Sequence, residues 1–151
     1  MAPLGKRVAA AAGIASDRRI RVTDIEARLG TTYTADTLTM LKQRFPRARF
    51  VWLMGADNLA QFRHWARWQH IFHAVPIAVF ARPSYCLEGL MDPAARRFAR
   101  GRVPQQQARK LADLAPPVWA FFLSRLDASS ATQIRSRLAA GSRRKKRDGQ
   151  E

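Results

Sequence analysis

Two short stretches concentrate the residues suited to holding a sugar or a phosphate. Gly55, Asp57 and Asn58 directly follow the apolar run at residues 50–54, and Ser130, Thr132 and Arg135 fall together within residues 130–135. A glycine after a strand lets backbone approach a ligand closely, and a carboxylate two residues on accepts hydrogen bonds from a ribose or holds a turn. Hydroxyls at a helix start sit where unpaired N–H groups and the positive dipole end already favour an anion, and Arg135 adds a bidentate contact to phosphate. Each reading has a plainer rival, since Gly-x-Asp is a common turn and Ser and Thr are ordinary helix caps. Arg82, after the apolar run 77–80, is a further phosphate candidate or a solvated surface residue. Trp65 and Trp68 lie three apart on one helical face. Trp68 is read as core, whereas Trp65 is either core or a platform for a flat heterocycle. His70 and His73 are one turn apart without a third ligand, so with His64 they read as surface or satisfied histidines, and no protein-bound metal is expected. There is no Walker loop, no Gly-x-Gly-x-x-Gly and no convincing Ser-His-Asp order, and no residue is singled out as catalytic.

The elements that must carry these residues alternate in type. Residues 19–25 alternate apolar and polar side chains and predict an outer strand. Residues 50–54 are continuously apolar, as in a strand covered by helices on both faces, and 77–80 repeats the pattern. Residues 118–123, after Pro116 and Pro117, make a fourth strand. Between the first two, residues 34–45 place Leu38, Leu41 and Phe45 at helical spacing, with Thr34 as N-cap, Asp36 in the first turn and Pro46 as the stop. Residues 59–75 read as one broken helix or two short ones. Residues 94–114 read as a helix interrupted near 101–104, and 130–140 as a helix stopped by Gly141. The resulting order predicts a doubly wound parallel sheet, an α/β fold whose ligands lie beyond the carboxyl ends of the strands. Residues 55–58, residues 81–85 and the loop leading to Ser130 become the suspects.

A length of 151 residues suits one domain, expected over residues 1–141, with residues 142–151 as a basic, disordered tail. Lys and Arg number 27 against 11 Asp and Glu, and the formal charge of +16 attracts polyanions without any dedicated site. Specific nucleic-acid binding normally adds a stripe with interleaved aromatics or a known module, neither of which is evident. Cys86 is the only cysteine, which excludes an internal disulfide and agrees with a reducing compartment. No apolar run approaches the ~20 residues of a membrane helix, and the first residues lack the apolar centre of a signal peptide. A cytoplasmic protein without a membrane partner is expected.

Five pieces resemble one family when taken in order: Thr32-Tyr33-Thr34-Ala35-Asp36-Thr37-Leu38, Val51-Trp52-Leu53-Met54-Gly55-Ala56-Asp57-Asn58-Leu59, Trp65 to Trp68, Arg82-Pro83-Ser84-Tyr85, and Ser130-Ala131-Thr132-Gln133-Ile134-Arg135. The same order occurs in bacterial nicotinate-nucleotide adenylyltransferases, and the likeness runs from residue 1 to about residue 141. That resemblance implies a Rossmann-like nucleotidyltransferase sheet and a reaction joining ATP to nicotinate mononucleotide, giving deamido-NAD and pyrophosphate. It implies that Thr34 offers its backbone to the nicotinate carboxylate, that Trp65 stacks on the pyridine ring and that Asp57, after Gly55, faces the ribose. Ser130, Thr132 and Arg135 would hold the ATP phosphates, with Arg82 a further ATP candidate, and Mg²⁺ would accompany ATP.

This sequence departs from the family at two places. Ala66 stands where an aromatic is frequent. The family's opening strand and its Gly-x-Phe-x-Pro-x-His-x-Gly-His phosphate loop have no counterpart in this sequence. The expectation is a sheet lacking its first strand-helix-strand unit, with substrate recognition present and weak turnover. The competing expectations are a non-catalytic basic α/β protein for RNA or another polyanion, and an adenylyltransferase with a different acceptor such as pantetheine phosphate.

Overall fold

The computed structural model describes residues 3–82 and 85–123. Among them, four strands form one sheet: β1 (Trp52–Gly55), β2 (Ile77–Phe80), β3 (Arg102–Val103) and β4 (Trp119–Phe122), in the spatial order β1-β2-β4-β3. All pairs are parallel, with Trp52 opposite Ile77, Ile77 opposite Trp119 and Arg102 opposite Trp119. Parallel neighbours require crossover connections, which the segments between the strands supply, and there are seven helices among the described residues. They are α1 (Leu4–Ile14), α2 (Ile25–Leu29), α3 (Thr34–Arg44), α4 (Ala56–Leu59), α5 (Trp68–Ala74), α6 (Cys86–Met91) and α7 (Pro93–Arg97), with 3₁₀ turns at Phe62–His64, Ala99–Gly101 and Gln105–Asp113.

Strand side chains alternate between the two faces of the sheet and so divide the core in two. Ile77, Val79, Trp119 and Phe121 join Leu38, Leu59, Phe62, Ile71, Phe72 and Phe98 on one face. Ala78, Val118 and Ala120 meet Ala108 and Leu111 of the Gln105–Asp113 turn on the other. The first face is the larger and is built on aromatics: Phe72 stacks on Phe98 with centroids 4.2 Å apart, and Phe62 meets Phe72 edge-on at 5.6 Å. The Trp119 indole N–H donates to the Phe98 carbonyl at 2.8 Å, so the largest core side chain buries no unpaired donor.

Three sequence expectations are corrected here. Residues 19–25 form no strand; the chain runs irregularly to Asp24 and then turns into α2, which ends at Gly30 in the left-handed conformation, φ 65°. An alternating pattern yields a strand only where a neighbour completes its hydrogen bonds, and in the absence of one the short helix closed by Gly30, with Asp24 paired to Arg28 one turn on, prevails. Residues 50–54 are covered unevenly: Phe50, Trp52 and Met54 pack on the larger core and Val51 on the smaller, while Leu53 is 62% exposed, on a strand whose one paired neighbour among the described residues is β2. The interruption near 101–104 is itself a strand, β3, so the β-α alternation is not the simple repeat expected. Other elements agree with the sequence reading. Strands occur at 52–55, 77–80 and 119–122, the helical stretch 59–75 is broken, and Trp68 packs on the core through an edge contact to Phe98. The helix expected at 130–140 and the tail at 142–151 lie outside the described residues.

Candidate functional site

Parallel register brings the carboxyl ends of β1 and β2 side by side, Gly55 opposite Phe80, and so sets Asp57 and Arg82 at one place. Asp57 lies in the first turn of α4, which begins immediately after the strand. Arg82 lies two residues beyond the end of β2. The Arg82 Nε stands 3.1 Å from Asp57 Oδ1. Both pack over Gly55: a Cβ built there would meet the Asp57 carboxylate and would sit 2.6 Å from Arg82 Nε. Gly55 has an ordinary extended backbone, φ −82°, ψ 159°, so glycine is needed here for space and not for conformational freedom. Asp57 Oδ1 is shielded from solvent and accepts no hydrogen bond among the described residues, although Arg82 stands close by. The pairing is therefore one of charge, and the oxygen keeps its acceptor capacity.

A second group gathers around Trp65. Residues Thr32, Tyr33 and Thr34 form one wall, and His64, Trp65 and Ala66 the other, of a cleft of about 350 Å³. Thr34 opens α3. The N-cap is Tyr33, in extended conformation, and it offers no side-chain cap, which corrects the N-cap assignment of Thr34 by one residue. The first amides of a helix lack intrahelical acceptors, and the first of them, at Thr34, belongs to a residue of the cleft wall. Trp65 follows the Phe62–His64 turn, with its ring 5.0 Å from Phe62 and one side packed against the core. It packs on the core and also lines the cleft. The walls are tied by an ion pair between Asp36, in the first turn of α3, and Arg67, the residue before α5. The Asp36 carboxylate raises the Arg67 guanidinium above its ordinary value. Residues 56–64 link this cleft to the cluster at the strand ends.

Of the predicted site residues, Thr34 and Trp65 share the cleft, while Gly55, Asp57 and Arg82 share the strand-end cluster. Ser130, Thr132 and Arg135 lie outside the described residues. Sequence spacing alone missed Arg67 and saw in Asp36 only a helix-start charge. The available signal was periodic: residues 36, 39 and 42 of α3 and residues 67, 70 and 74 recur at one-turn intervals. His70 and His73 stand apart from the cleft, His70 Nε2 at 3.1 Å from Thr39 Oγ1 and His73 edge-on to Phe98. Among the described residues no three His, Cys, Asp or Glu side chains cluster as metal ligands, and no helix is long and apolar enough to cross a membrane. A hollow of about 570 Å³ between α1 and residues 21–24 contains none of the predicted site residues.

The sequence matches the family model described as cytidylyltransferase-like over residues 1–137. It is 48% identical over 136 residues to a protein of Cereibacter sphaeroides named probable nicotinate-nucleotide adenylyltransferase, covering 89% of this chain and 71% of that one. A protein of the same name from Parvibaculum lavamentivorans is 50% identical over 137 residues, 91% of this chain and 68% of its own length. A third, from a Bradyrhizobium species, is 48% identical over 133 residues, covering 88% and 69%.

Proposed function

The chain belongs to the cytidylyltransferase-like family, and from that premise we propose that it serves adenylyl transfer from ATP to nicotinate mononucleotide, giving deamido-NAD and pyrophosphate in NAD biosynthesis. The observation that carries this reading is that Thr34 and Trp65, distant in sequence, line one cleft of a size suited to a single aromatic ring and its substituent. Trp65 stacks on the pyridine, and the backbone of Thr34 at the start of α3 receives the ring carboxylate. Asp57, a third of whose side chain is exposed, accepts from a ribose hydroxyl with the carboxylate oxygen that does not face Arg82. Arg82 faces the ATP phosphates, and Ser130, Thr132 and Arg135 complete their binding in the proposal.

In the transfer, an oxygen of the mononucleotide phosphate forms a bond to the α-phosphorus of ATP as the α–β anhydride bond breaks and pyrophosphate departs with its electron pair. No protein nucleophile is required. The chain's part is to hold the acceptor in line and to neutralise charge. The donors at the strand ends fit a cation carried by phosphates better than a protein cage, because the one carboxylate, Asp57, is already faced by a guanidinium. Mg²⁺ therefore belongs to the proposal as ATP's counterion, supplying charge neutralisation of the phosphates. The single cysteine accords with a cytoplasmic setting.

A flat acceptor favours this reading over pantetheine phosphate, which offers Trp65 no ring, and the names of the relatives point the same way. Calorimetric titration with nicotinate mononucleotide, paired with chromatographic detection of deamido-NAD from ATP and Mg²⁺, tests it. Saturable binding that Trp65→Ala weakens is expected. Binding that survives Trp65→Ala but collapses with salt would instead mark a polyanion-binding surface.

A further inference from the structure

Helices α3 and α5 are joined by three polar cross-links in a row. Asp36 pairs with Arg67, Thr39 Oγ1 lies 3.1 Å from His70 Nε2, and Lys42 Nζ donates to the Ala74 carbonyl at 2.8 Å. The row climbs one turn at a time along both helices, so each rung fixes a different level of the same seam. The lower two rungs lie beside packed helix: Ala35 and Leu38 from α3, and Ile71 and Phe72 from α5, are buried in the common core. The top rung differs. Asp36 is two residues after Thr34 and Arg67 two residues after Trp65, so this rung joins the two chain segments that form the walls of the cleft, without itself lining it.

Arg67 also adopts the left-handed conformation, φ 53°, ψ 38°, which is unusual for a residue with a side chain and places it as the N-cap of α5 without any side-chain cap bond. Its amide neighbours are engaged on both sides, Trp68 N–H donating to the Trp65 carbonyl at 3.2 Å and His70 N–H to the Arg67 carbonyl at 2.9 Å. The turn thus carries Trp65 on one end and the guanidinium on the other. Both partners of the ion pair are substantially exposed, at 56% and 38%, and exposed pairs contribute little to stability. A costly backbone conformation combined with a pair of small stabilising value points to a role other than holding the fold.

Resting on the proposed reading of the cleft, we propose that Asp36 and Arg67 are positioning residues for the pyridine-binding wall: their pair sets the separation of Trp65 from the start of α3. With the pair intact, the indole and the helix amides stand at one fixed spacing. Without it, the turn at 65–67 is free to swing while the core below stays packed.

The test compares Arg67→Gly, which accepts the left-handed turn at no steric cost while deleting the guanidinium, with Asp36→Asn, Arg67→Lys and, as a control at the far end of the seam, Lys42→Met. Nicotinate mononucleotide and ATP are each titrated calorimetrically against the full chain, and the Trp65 indole N–H resonance, assigned with Trp65→Phe, is followed by NMR without ligand. Arg67→Gly and Asp36→Asn are expected to weaken the mononucleotide about two- to fivefold, leave ATP unchanged and shift the Trp65 resonance, with Arg67→Lys partly restoring both. Lys42→Met is expected to lower the melting temperature and leave the mononucleotide affinity and the Trp65 signal in place. Equal weakening of both ligands, or an unmoved Trp65 resonance in Arg67→Gly, overturns the inference. Failure of the unsubstituted chain to bind the mononucleotide overturns the functional reading instead, and the ligand-free resonance still decides whether the pair places Trp65.

Discussion

Arg82 Nε and Asp57 Oδ1 stand 3.1 Å apart across the ends of two parallel strands, with Gly55 beneath them. The strands place the two charges together, and the missing side chain at position 55 is what allows them to meet. A local sequence motif and a long-range pairing thus produce one feature. The bare Gly-x-Asp reading of a turn describes only half of it.

Replacing Gly55 with Ala is expected to disturb the site more than the fold. The atoms that a Cβ would meet belong to the Asp57 and Arg82 side chains, which can swing away at the cost of their pairing. Stability should fall by no more than about 1–2 kcal/mol, the lower range for adding a methyl to a packed site. Gly101→Ala is the contrasting case, because its Cβ would meet the Pro117 carbonyl oxygen and sit 3.2 Å from the Pro117 carbonyl carbon, which are backbone atoms. A loss of about 2–3 kcal/mol is expected there. Urea denaturation measures both, and ATP titration should single out Gly55→Ala.

Trp65→Ala should weaken nicotinate mononucleotide by about 1–3 kcal/mol, the usual worth of an aromatic stacking partner. Trp68→Ala should lower stability instead, since that ring packs edge-on against Phe98 within the core and lines no wall of the cleft. Affinity by calorimetry and stability by denaturation should move separately in the two variants. Parallel losses of affinity in both would place Trp65 in the core alone.

Trp119→Phe removes an indole N–H that donates to the Phe98 carbonyl at 2.8 Å in a fully buried setting. An orphaned buried acceptor costs about 1–3 kcal/mol, and the smaller ring adds a void in the same place. The unfolding midpoint in urea should fall accordingly. An unchanged midpoint would mean that the carbonyl finds another donor.

Asp17 accepts from the Arg19 guanidinium and backbone, and these hold its carboxyl below the ordinary 3.8. A folded value below the unfolded one contributes stability above the unfolded value and loses it as pH falls through the folded one. With the Arg19 and Asp17 side chains 86% and 39% exposed, that contribution is expected to be negligible. Asp17→Asn should match the parent in denaturation at pH 7 and at pH 3; a clear gap at pH 7 that closes at pH 3 would contradict this.

Much of the fold was readable because its signals are local. The runs at 77–80 and 119–122 are continuously apolar and became strands, and the break in 59–75 was visible from the spacing of Leu59, Phe62, Trp65, Ile71 and Phe72. Residues 19–25 carried an equally clear alternation and formed no strand, because a strand is completed by a partner that its own sequence does not contain. The family was legible because five short segments recur in one order, which needs no coordinates.

The chain's order of residues by itself determined an α/β sheet, the residue types at each strand end and the kinship with nucleotidyltransferases. Tertiary structure alone decided that Thr34 and Trp65 face one cleft, that Asp57 meets Arg82 over Gly55, and that Arg67 reaches Asp36. The reason is that propensity and periodicity act over a few residues, whereas these contacts join residues tens of positions apart. Such residues meet only when strand register and helix packing bring distant backbone together.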